Sequence, residues 1–449
     1  MDTIVAVATP SGRSAIGLIR LSGPQSVEIL RSLIHDPEFK PEPNRILLKQ
    51  IKSDVSEEIV DFVLISYFEA PHSFTGEDIV EISCHGSPVI LRQLLNQIQK
   101  LDGRLAGPGE FTMRACRNGK MNLSQAEAIR DLIDAQTNAA AQQATRQLKG
   151  ELSMALQPCQ QELISVIVKM ESALEFVEDD LPQLELSEME RQLDEVIRAV
   201  RDLSLTFQTG HLLRDGIKVA LVGRPNVGKS SVFNRLLRSD RAIVTDVPGT
   251  TRDSLTESIS LQGIPVALTD TAGIRKAGDR IEEIGVERTH RAMADADLLV
   301  VVLDGSNDLL PEDHAVLSQA DQAKHIVVVN KTDLPAARLD GELNQHKVVH
   351  LSALTGEGLD QLTAAILEPF GTVDSETVGL LVTNSRHHDL LRRALSSLEE
   401  SRVLLGQRAS EEVVLVGLHN ALKFLGEITG ETTSEDILTQ IFSTFCIGK

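Results

Sequence analysis

The sequence is poor in cysteine and in long apolar runs, and each shortage excludes a class of protein. Its four cysteines have no C-x-x-C spacing and no adjacent histidine cluster, so neither a zinc site nor a disulfide framework is indicated. The longest apolar run, 298–303, has about six residues, far below the ~20 of a membrane-spanning helix. The N-terminus carries neither a basic patch followed by an apolar run nor an Arg/Ser-rich presequence. We therefore expect a cytoplasmic protein without a membrane segment.

The chain also has fewer basic than acidic residues. The 44 basic residues face 65 acidic ones, a net charge of −21, which repels a phosphate backbone over any uniform surface. If the protein acts on nucleic acid, a partner must do most of the binding. The length of 449 residues predicts about three domains. The composition, with 42% hydrophobic and 24% charged residues, is typical of a globular chain.

Hydrophobic patterns divide the chain into regions of different fold class. Short strands and a helix predict an α+β domain over residues 1–118. Residues 119–214 have helical spacing, broken at Pro158 and at 179–182, and this pattern returns over 374–449, where Asn384 can cap a helix. Between them, over 215–373, five β-rich runs each precede a helical stretch, which predicts a parallel α/β sheet. We interpret this as a multidomain chain with an α/β domain inserted into a discontinuous all-α domain.

The segment from Gly223 to Ser230 reads G-x-x-x-x-G-K-S between a strand and a helix. In that context backbone N–H groups wrap the phosphates of a nucleotide, Lys229 reaches the β- and γ-phosphates, and Ser230 binds Mg²⁺. The alternative is a chance glycine-rich turn.

Three later segments each follow a predicted strand and indicate a guanine nucleotide. Asp270-Thr-Ala-Gly273 can hold the Mg²⁺ hydration shell and sense the γ-phosphate. In Asn330-Lys-Thr-Asp333 the aspartate can accept two guanine donors that adenine lacks. Ser352-Ala353 can offer a backbone N–H to the guanine O6.

Residues 245–253 lie where a switch loop is expected, and Thr251 is the candidate second protein ligand of Mg²⁺. Position 274 is Ile where many GTPases place a water-orienting Gln, so either hydrolysis is poor or another group replaces that Gln. The predicted GTP contacts are Asn226, Val227, Gly228, Lys229, Ser230, Ser231, Thr245, Asp246, Val247, Pro248, Gly249, Thr250, Thr251, Asp270, Thr271, Ala272, Gly273, Asn330, Lys331, Asp333, Ser352, Ala353 and Leu354.

With its flanks, the whole chain resembles the MnmE (TrmE) family of potassium-activated tRNA-modifying GTPases. The segments that carry the resemblance are Asp2-Thr-Ile-Val-Ala, Ser73-Phe-Thr-Gly-Glu-Asp78, Pro108-Gly-Glu-Phe111, Gln125-Ala-Glu-Ala-Ile129 and the terminal Phe445-Cys-Ile-Gly-Lys449. The resemblance implies an N-terminal folate-binding α+β domain, a split helical domain and a Ras-like α/β domain.

The resemblance also implies a K⁺ site in which Asn226, Thr245, Val247 and Thr250 hold the ion between the phosphates. Such a cation neutralises the charge that an arginine finger neutralises in other GTPases. Glu282 matches the catalytic glutamate of the family; the alternative is a solvated acidic face, since Glu283 adjoins it.

A 5-formyl- or 5,10-methylene-tetrahydrofolate is implied for the N-terminal domain, with Arg20, Glu81, Lys120 and Lys449 as matching residues. A carboxylate such as Glu81 can accept the donor edge of a pterin, while the cations suit the glutamate tail. Taken alone, residues such as Arg20 and Lys120 are more often surface charges than ligand-binding residues. Cys446 is a catalytic candidate beside the folate; the alternative is a small apolar residue near a helix.

For the whole protein the resemblance implies a homodimer that works with the FAD-dependent partner MnmG (GidA) in a heterotetramer-type complex, with tRNA held mainly by that partner. Together they would add a carboxymethylaminomethyl or aminomethyl group at C5 of wobble uridine 34. The rival hypothesis is a ribosome-assembly or signalling switch GTPase without one-carbon chemistry. Such proteins usually append an RNA-binding module, and no module of that kind is indicated after 373.

Overall fold

The computed structural model describes residues 2–56, 58–175, 183–239, 256–271, 292–337, 343–371, 379–431, 438, 441–446 and 448. They form two compact units, residues 1–130 with 425–449 and residues 131–424. Among the described helices, none is long and apolar enough to cross a membrane.

The first unit is built on six strands and three short helices, followed by a fourth helix that continues into the second unit. The strands are β1 Ile4–Val7, β2 Ile16–Ser22, β3 Ile46–Lys52, β4 Ile59–Phe68, β5 Ile79–His85 and β6 Arg104–Leu105. The helices are α1 Ser26–Leu33, α2 Pro88–Lys100, α3 Glu110–Arg117 and α4 Leu123–Asp134. The sheet order is β3-β4-β5-β2-β1-β6, antiparallel except for the parallel pair β1 and β6. These elements confirm the strands and the helix expected in this region.

One face of this sheet is covered and the other is partly open. Ile19, Ile82 and Leu94 belong to the core between the sheet and the two helices α1 and α2. The C-terminal residues Phe442 and Phe445 pack in this same unit, against the start of α4.

The second unit begins with helices α5 Asn138–Leu148, α6 Glu151–Glu175, α7 Gln183–Leu205 and α8 Phe207–Asp215 and ends with α12 Ser385–Gly406 and α13 Glu411–Thr429, the last reaching into the first unit. The expected break at Pro158 is wrong, because Pro158 lies inside α6. The α6 side chains Leu156, Cys159 and Leu163 are buried around it, and that packing outweighs the local penalty of proline. Asn384 caps α12 as expected, accepting a hydrogen bond from the Arg386 N–H at 2.9 Å.

Between these helices lies the α/β part of the unit. It contains β7 Ile217–Val222, α9 Lys229–Ser239, β8 Thr256–Leu261, β9 Ile264–Asp270, β10 Leu298–Asp304, α10 Pro311–Ala320, β11 His325–Asn330, β12 Val348–Leu351 and α11 Leu359–Leu367. The sheet order is β12-β11-β10-β7-β9-β8, and all neighbours are parallel except β8 and β9. The five predicted strands are confirmed, and β8 is an additional antiparallel edge strand. The proposed boundary at 373 lies outside the described residues, and the four-part division of the chain stays a prediction.

Candidate functional site

The phosphate loop between β7 and α9 is shaped by glycines that no other residue could replace without strain. Gly223 has φ +147°, and a Cβ there would lie 2.4 Å from the Val302 carbonyl oxygen. Gly228 has φ +100°, and its Cβ would lie 2.2 Å from Asn330 Nδ2. Asn226 is also left-handed, with φ +66°, a conformation that Asn tolerates better than most residues. The loop therefore turns tightly around a small space at the start of α9.

Lys229 and Ser230 occupy the first turn of α9, as the motif predicts. The Lys229 ammonium donates to the carbonyl oxygens of Gly223 and Arg224, each at 2.7 Å, which holds its charge over the loop. Ser230 Oγ donates to Asp270 Oδ2 at 2.8 Å, and Asp270 is buried at the end of β9. A hydroxyl and a carboxylate are the oxygen donors that Mg²⁺ prefers, so these two residues fit a Mg²⁺ site.

The base-recognition segments meet at the carboxyl ends of β11 and β12. Asn330 Nδ2 donates to the Val227 carbonyl at 2.9 Å, and its Oδ1 accepts the Ala353 N–H at 3.0 Å. Asn330 thus joins the phosphate loop to the segment after β12. Ser352 Oγ donates to Asp333 Oδ1 at 2.6 Å, which orients the carboxylate expected to read guanine.

The other predicted GTP contacts that the structure describes lie around this core. Thr271 Oγ1 donates to the Leu221 carbonyl at 2.7 Å, which anchors the end of β9 on β7. Ser231 follows the phosphate loop on an exposed side of α9, and the Leu354 side chain is 79% exposed beyond β12. That Leu354 contacts a bound base stays a prediction.

Asp304, at the end of β10, supports the site and was not predicted from the sequence. Lys331 Nζ lies 2.6 Å from Asp304 Oδ2, and Ser306 Oγ donates to Oδ1 at 2.6 Å. Burial by itself raises the pKa of Asp304, but the hydrogen bonds from Lys331 and Ser306 outweigh it and lower the pKa to about 2. Its position in the sequence could have indicated this role, because Asp304 ends a parallel strand at the same sheet edge as Asp270, and ligands bind at that edge.

Several predicted residues lie outside the described residues and stay predictions. They are the switch and metal residues Thr245, Asp246, Val247, Pro248, Gly249, Thr250 and Thr251, then Ala272, Gly273, Ile274 and Glu282, and the terminal Lys449.

In the first unit the structure brings Arg20 and Glu81 together. They are directly opposite on β2 and β5, and Arg20 Nε and Nη2 lie 2.8 and 2.7 Å from Glu81 Oε1. Arg20 Nη1 also donates to the Gly448 carbonyl at 3.4 Å, and its guanidinium lies about 6 Å from the ring centroids of Phe74 and Phe111. Gly448 of the C-terminal tail therefore lies beside this pair.

Lys120 and Cys446 lie in the same unit, without a contact to that pair among the described residues. Lys120 Nζ donates to the Pro71 carbonyl at 2.8 Å, in the segment between β4 and β5 that also carries Phe74. The side chain of Cys446 is exposed, and its carbonyl accepts the Gly109 N–H at 3.3 Å.

In the same unit Arg114 organises a polar network that the sequence did not reveal, in which Arg114, Glu77 and Glu110 are nearly buried and Asp2 is half exposed. Its guanidinium contacts Asp2 Oδ1 at 2.6 Å, Glu77 Oε1 and Oε2 at 3.2 Å and Glu110 Oε1 at 3.2 Å. Ser22 Oγ donates to Glu77 Oε2 at 2.7 Å. No local pattern could have signalled it, since its members are scattered along the chain from residue 2 to residue 114.

Similarity to known proteins covers the whole chain. The family described as "MnmE helical domain" matches residues 123–446, and "GTP-binding protein TrmE N-terminus" matches residues 3–120. The chain is 43% identical over 450 residues to the tRNA modification GTPase MnmE of Aquifex aeolicus, with 100% of both chains covered. It is 45% identical over 451 residues to that of Koribacter versatilis, covering 100% of this chain and 99% of the other. A solved Aquifex aeolicus Era bound to GDP and AlF4⁻ is 24% identical over 40% of this chain and 66% of its own, with a TM-score of 0.29.

Proposed function

Because the chain belongs to the MnmE family of tRNA modification GTPases, we propose that its GTP hydrolysis drives modification of C5 of the wobble uridine in certain tRNAs. The chain is a GTP hydrolase that acts in tRNA modification. The product we propose is a carboxymethylaminomethyl or aminomethyl group. A reduced folate supplies its carbon, the FAD of a MnmG-type partner carries electrons, and ammonium or glycine supplies nitrogen.

The geometry around Asn330 is the observation that supports GTP as the nucleotide. One side chain holds the phosphate loop through Val227 and the guanine-recognition segment through Ala353. The two halves of the site are therefore positioned together. Lys229 supplies fixed positive charge where negative charge spreads during phosphoryl transfer. Ser230 and Asp270 would hold Mg²⁺, which neutralises phosphate charge when bound.

For the folate, support comes from the pair Arg20 and Glu81. Both arginine contacts go to Glu81 Oε1, so within the described part of the chain Oε2 can accept donors from a pterin edge. The Phe74 ring is 37% exposed and lies about 6 Å from the guanidinium, so it is available to a flat heterocycle, whereas the Phe111 ring is fully buried. Gly448, two residues after Cys446, contacts Arg20 through its carbonyl, and this closeness along the chain is the reason why we assign Cys446 to one-carbon chemistry.

An open apolar face on the N-terminal sheet supports the proposed homodimer. Ile46, Leu48, Phe62 and Leu64 are 68, 66, 51 and 47% exposed on the adjacent strands β3 and β4. A contiguous apolar patch of this kind marks an interaction surface more often than a solvated one. A second copy of this chain is the occupant we propose, and light scattering should report about 98 kDa, twice the 49.0 kDa chain.

Cys446→Ser tests the assignment of one-carbon chemistry. With the MnmG-type partner, tRNA, GTP and folate present, nucleoside analysis should show no modified uridine, while GTP turnover stays within about twofold of the parent. Cys159→Ser, at a buried cysteine of α6, is the matched control and should keep both activities. Full modification by Cys446→Ser would remove that thiol from the chemistry, and equal loss of both activities would indicate a structural tail.

Arg20→Met tests the folate site by a binding measurement that needs no partner. Calorimetry with 5-formyl-tetrahydrofolate should show binding to the full chain and at least about tenfold weaker binding to the variant, because a charge-assisted contact is lost. Arg13→Met, at an exposed arginine of the same domain, should bind normally. If the parent chain binds no folate, a switch GTPase without one-carbon chemistry becomes the better hypothesis.

A further inference from the structure

Two histidines and one aspartate converge at the end of the α/β sheet where its parallel strands begin. His325 opens β11, Asp321 directly follows α10, and His346 lies just before β12. Throughout the described ranges of the chain, these are the one group of three or more His, Cys, Asp or Glu side chains close enough to hold a metal ion. Asn330 ends the same strand at its opposite end, about 17 Å away at the usual rise of a strand. The cluster is therefore separate from the nucleotide site.

The three donor atoms are spaced as a metal ion requires. His325 Nε2 and His346 Nδ1 are 2.9 Å apart, and Asp321 Oδ1 lies 3.6 Å from the first and 3.7 Å from the second. The nearest point equidistant from the three atoms lies in their plane, about 2.0 Å from each; an ion displaced from that plane toward a fourth ligand lies about 2.1 Å from each, which is still within the length of a Zn–N or Zn–O bond. Little rearrangement would be needed for an ion to contact all three.

The orientation of His325 also favours a ligand role. Its Nδ1 lies 3.1 Å from the Ala323 carbonyl oxygen, and since a carbonyl only accepts, Nδ1 must carry the proton. Nε2 then presents its lone pair to the centre of the cluster and, without an ion, accepts a hydrogen bond from His346 Nδ1–H at 2.9 Å. Binding of the ion by His346 Nδ1 would release that proton to solvent. A ring N–H donated to a backbone carbonyl is the usual support of a metal-binding histidine.

Exposure differs across the cluster in a way that suits a partly open site. The His325 and His346 side chains are 14 and 13% exposed, whereas that of Asp321 is 56% exposed. The imidazoles are shielded, and the carboxylate side faces solvent, where water can complete a tetrahedron.

From this geometry we propose that Asp321, His325 and His346 form a binding site for Zn²⁺. Two imidazole nitrogens and one carboxylate oxygen suit Zn²⁺, whereas Mg²⁺ and Ca²⁺ prefer sites built of oxygen alone. The ion connects the end of α10, the start of β11 and the segment before β12. Its role is to clamp these three segments together, independent of GTP hydrolysis. The cysteine spacing gave no indication of a zinc site, because none of these ligands is a cysteine.

Zinc titration of the full chain tests the proposal. The parent for the experiment carries Cys446→Ser, because that exposed thiol could bind Zn²⁺ itself, and it is saturated with Mg²⁺ and GDP so that the nucleotide site is filled. Calorimetry with zinc chloride should show one equivalent bound, and the thermal midpoint should rise. His346→Gln should bind Zn²⁺ at least about 100-fold more weakly and lose the rise in thermal midpoint. Loss of a residue that only hydrogen-bonds to a metal ligand already lowers metal affinity by about 10- to 100-fold, and His346 is a direct ligand.

His350→Gln is the matched control, since His350 is an exposed histidine on β12 outside the cluster, and it should behave as the parent. Melting in EDTA checks that His346→Gln is folded; if it is not, Asp321→Asn, at an exposed carboxylate, serves as the test and should also weaken Zn²⁺ binding. Absence of bound Zn²⁺ in the parent would overturn the proposal and leave a simple hydrogen bond between the two imidazoles. Unchanged affinity in the folded ligand variant would overturn it as well.

Discussion

At the scale of single residues, we expect Asp333 to determine which purine the site accepts. Ser352 Oγ orients its carboxylate at 2.6 Å, leaving acceptors for the two guanine donors. In Asp333→Asn an amide N–H faces those donors, so GTP should bind about 10³-fold more weakly and xanthosine triphosphate more tightly. Competition between the two nucleotides for the variant checks this, and a continued preference for GTP would mean that Asp333 does not read the base.

Gly228 is a second residue whose identity is set by its surroundings. A Cβ at this position would lie 2.2 Å from Asn330 Nδ2 at a φ of +100°, so Gly228→Ala should displace Asn330 and separate the phosphate loop from the guanine segment. We expect GTP affinity, measured by fluorescent-nucleotide titration, to fall by at least about 100-fold, since both a clash and backbone strain are introduced.

Gly371→Ala is the control for backbone strain outside the phosphate loop, because Gly371 has a similar φ of +93° with nothing within 4 Å of its Cβ. It should reproduce the backbone strain without the loss of nucleotide affinity. Equal effects of the two variants on affinity would contradict the steric argument.

The ion pair of Asp304 and Lys331 predicts a pH dependence of stability. The folded-state pKa of Asp304, about 2, lies below its ordinary value of 3.8, so this carboxylate stabilises the fold above pH ~4 and the contribution is lost as the pH falls toward 2. The difference corresponds to about 2 kcal/mol. Asp304→Asn should lower the free energy of unfolding by about that amount at pH 7.

Urea denaturation at a series of pH values checks this expectation. The difference in the free energy of unfolding between Asp304→Asn and the parent should become smaller as the pH falls from 7 toward 2. Asp308→Asn changes an exposed neighbouring carboxylate and should leave the free energy of unfolding unchanged at every pH. A gap that does not vary with pH would mean that charge is not the cause.

At the scale of elements, α6 keeps a proline within a helix of 25 residues. Pro158 removes one backbone hydrogen bond and crowds the preceding turn, which is unfavourable by about 3 kcal/mol in a helix interior. Replacing Pro158 also increases the conformational entropy of the unfolded chain, which offsets part of the gain in the free energy of unfolding. Pro158→Ala should therefore raise stability by about 2 kcal/mol.

The measurement is the urea midpoint followed by far-UV circular dichroism. Pro41→Ala, at a proline outside the helices and strands, is the control and should not stabilise the protein. An unchanged midpoint for Pro158→Ala would show that the helix has already bent to relieve the proline.

At the scale of the whole molecule, turnover should depend on the monovalent cation. Ile274 cannot orient the attacking water. We therefore expect K⁺ to stabilise the negative charge of the transition state, with Asn226 and the switch residues as its ligands. GTP hydrolysis should be at least about tenfold faster in K⁺ than in Na⁺, as loss of one preorganised charge typically lowers a rate by ~10²-fold or more.

Asn226→Gly removes the side-chain ligand but keeps the left-handed backbone that Asn226 adopts, with φ +66°. It should lose the K⁺ stimulation while retaining the Na⁺ rate. Equal hydrolysis of GTP by the parent protein in the two salts would rule out the cation mechanism.

Much of the nucleotide site could be predicted from the sequence by itself. The glycines, Lys229 and Ser230 are contiguous, and Asp270 and Asn330 end strands whose parallel order brings their carboxyl ends to one edge. Local spacing determines such features, because turn geometry and strand alternation act over a few residues. The Asn384 cap follows for the same reason.

Other features were decided only by the tertiary structure. Packing of α6 overrides the helix-breaking tendency of Pro158. Arg20 and Glu81 meet across two strands although they are 61 residues apart, and His346, just before β12, contacts His325 at the start of β11. Contacts of this kind depend on strand order and register, which arise from the burial of side chains distant in the chain and leave no periodic signal in either segment.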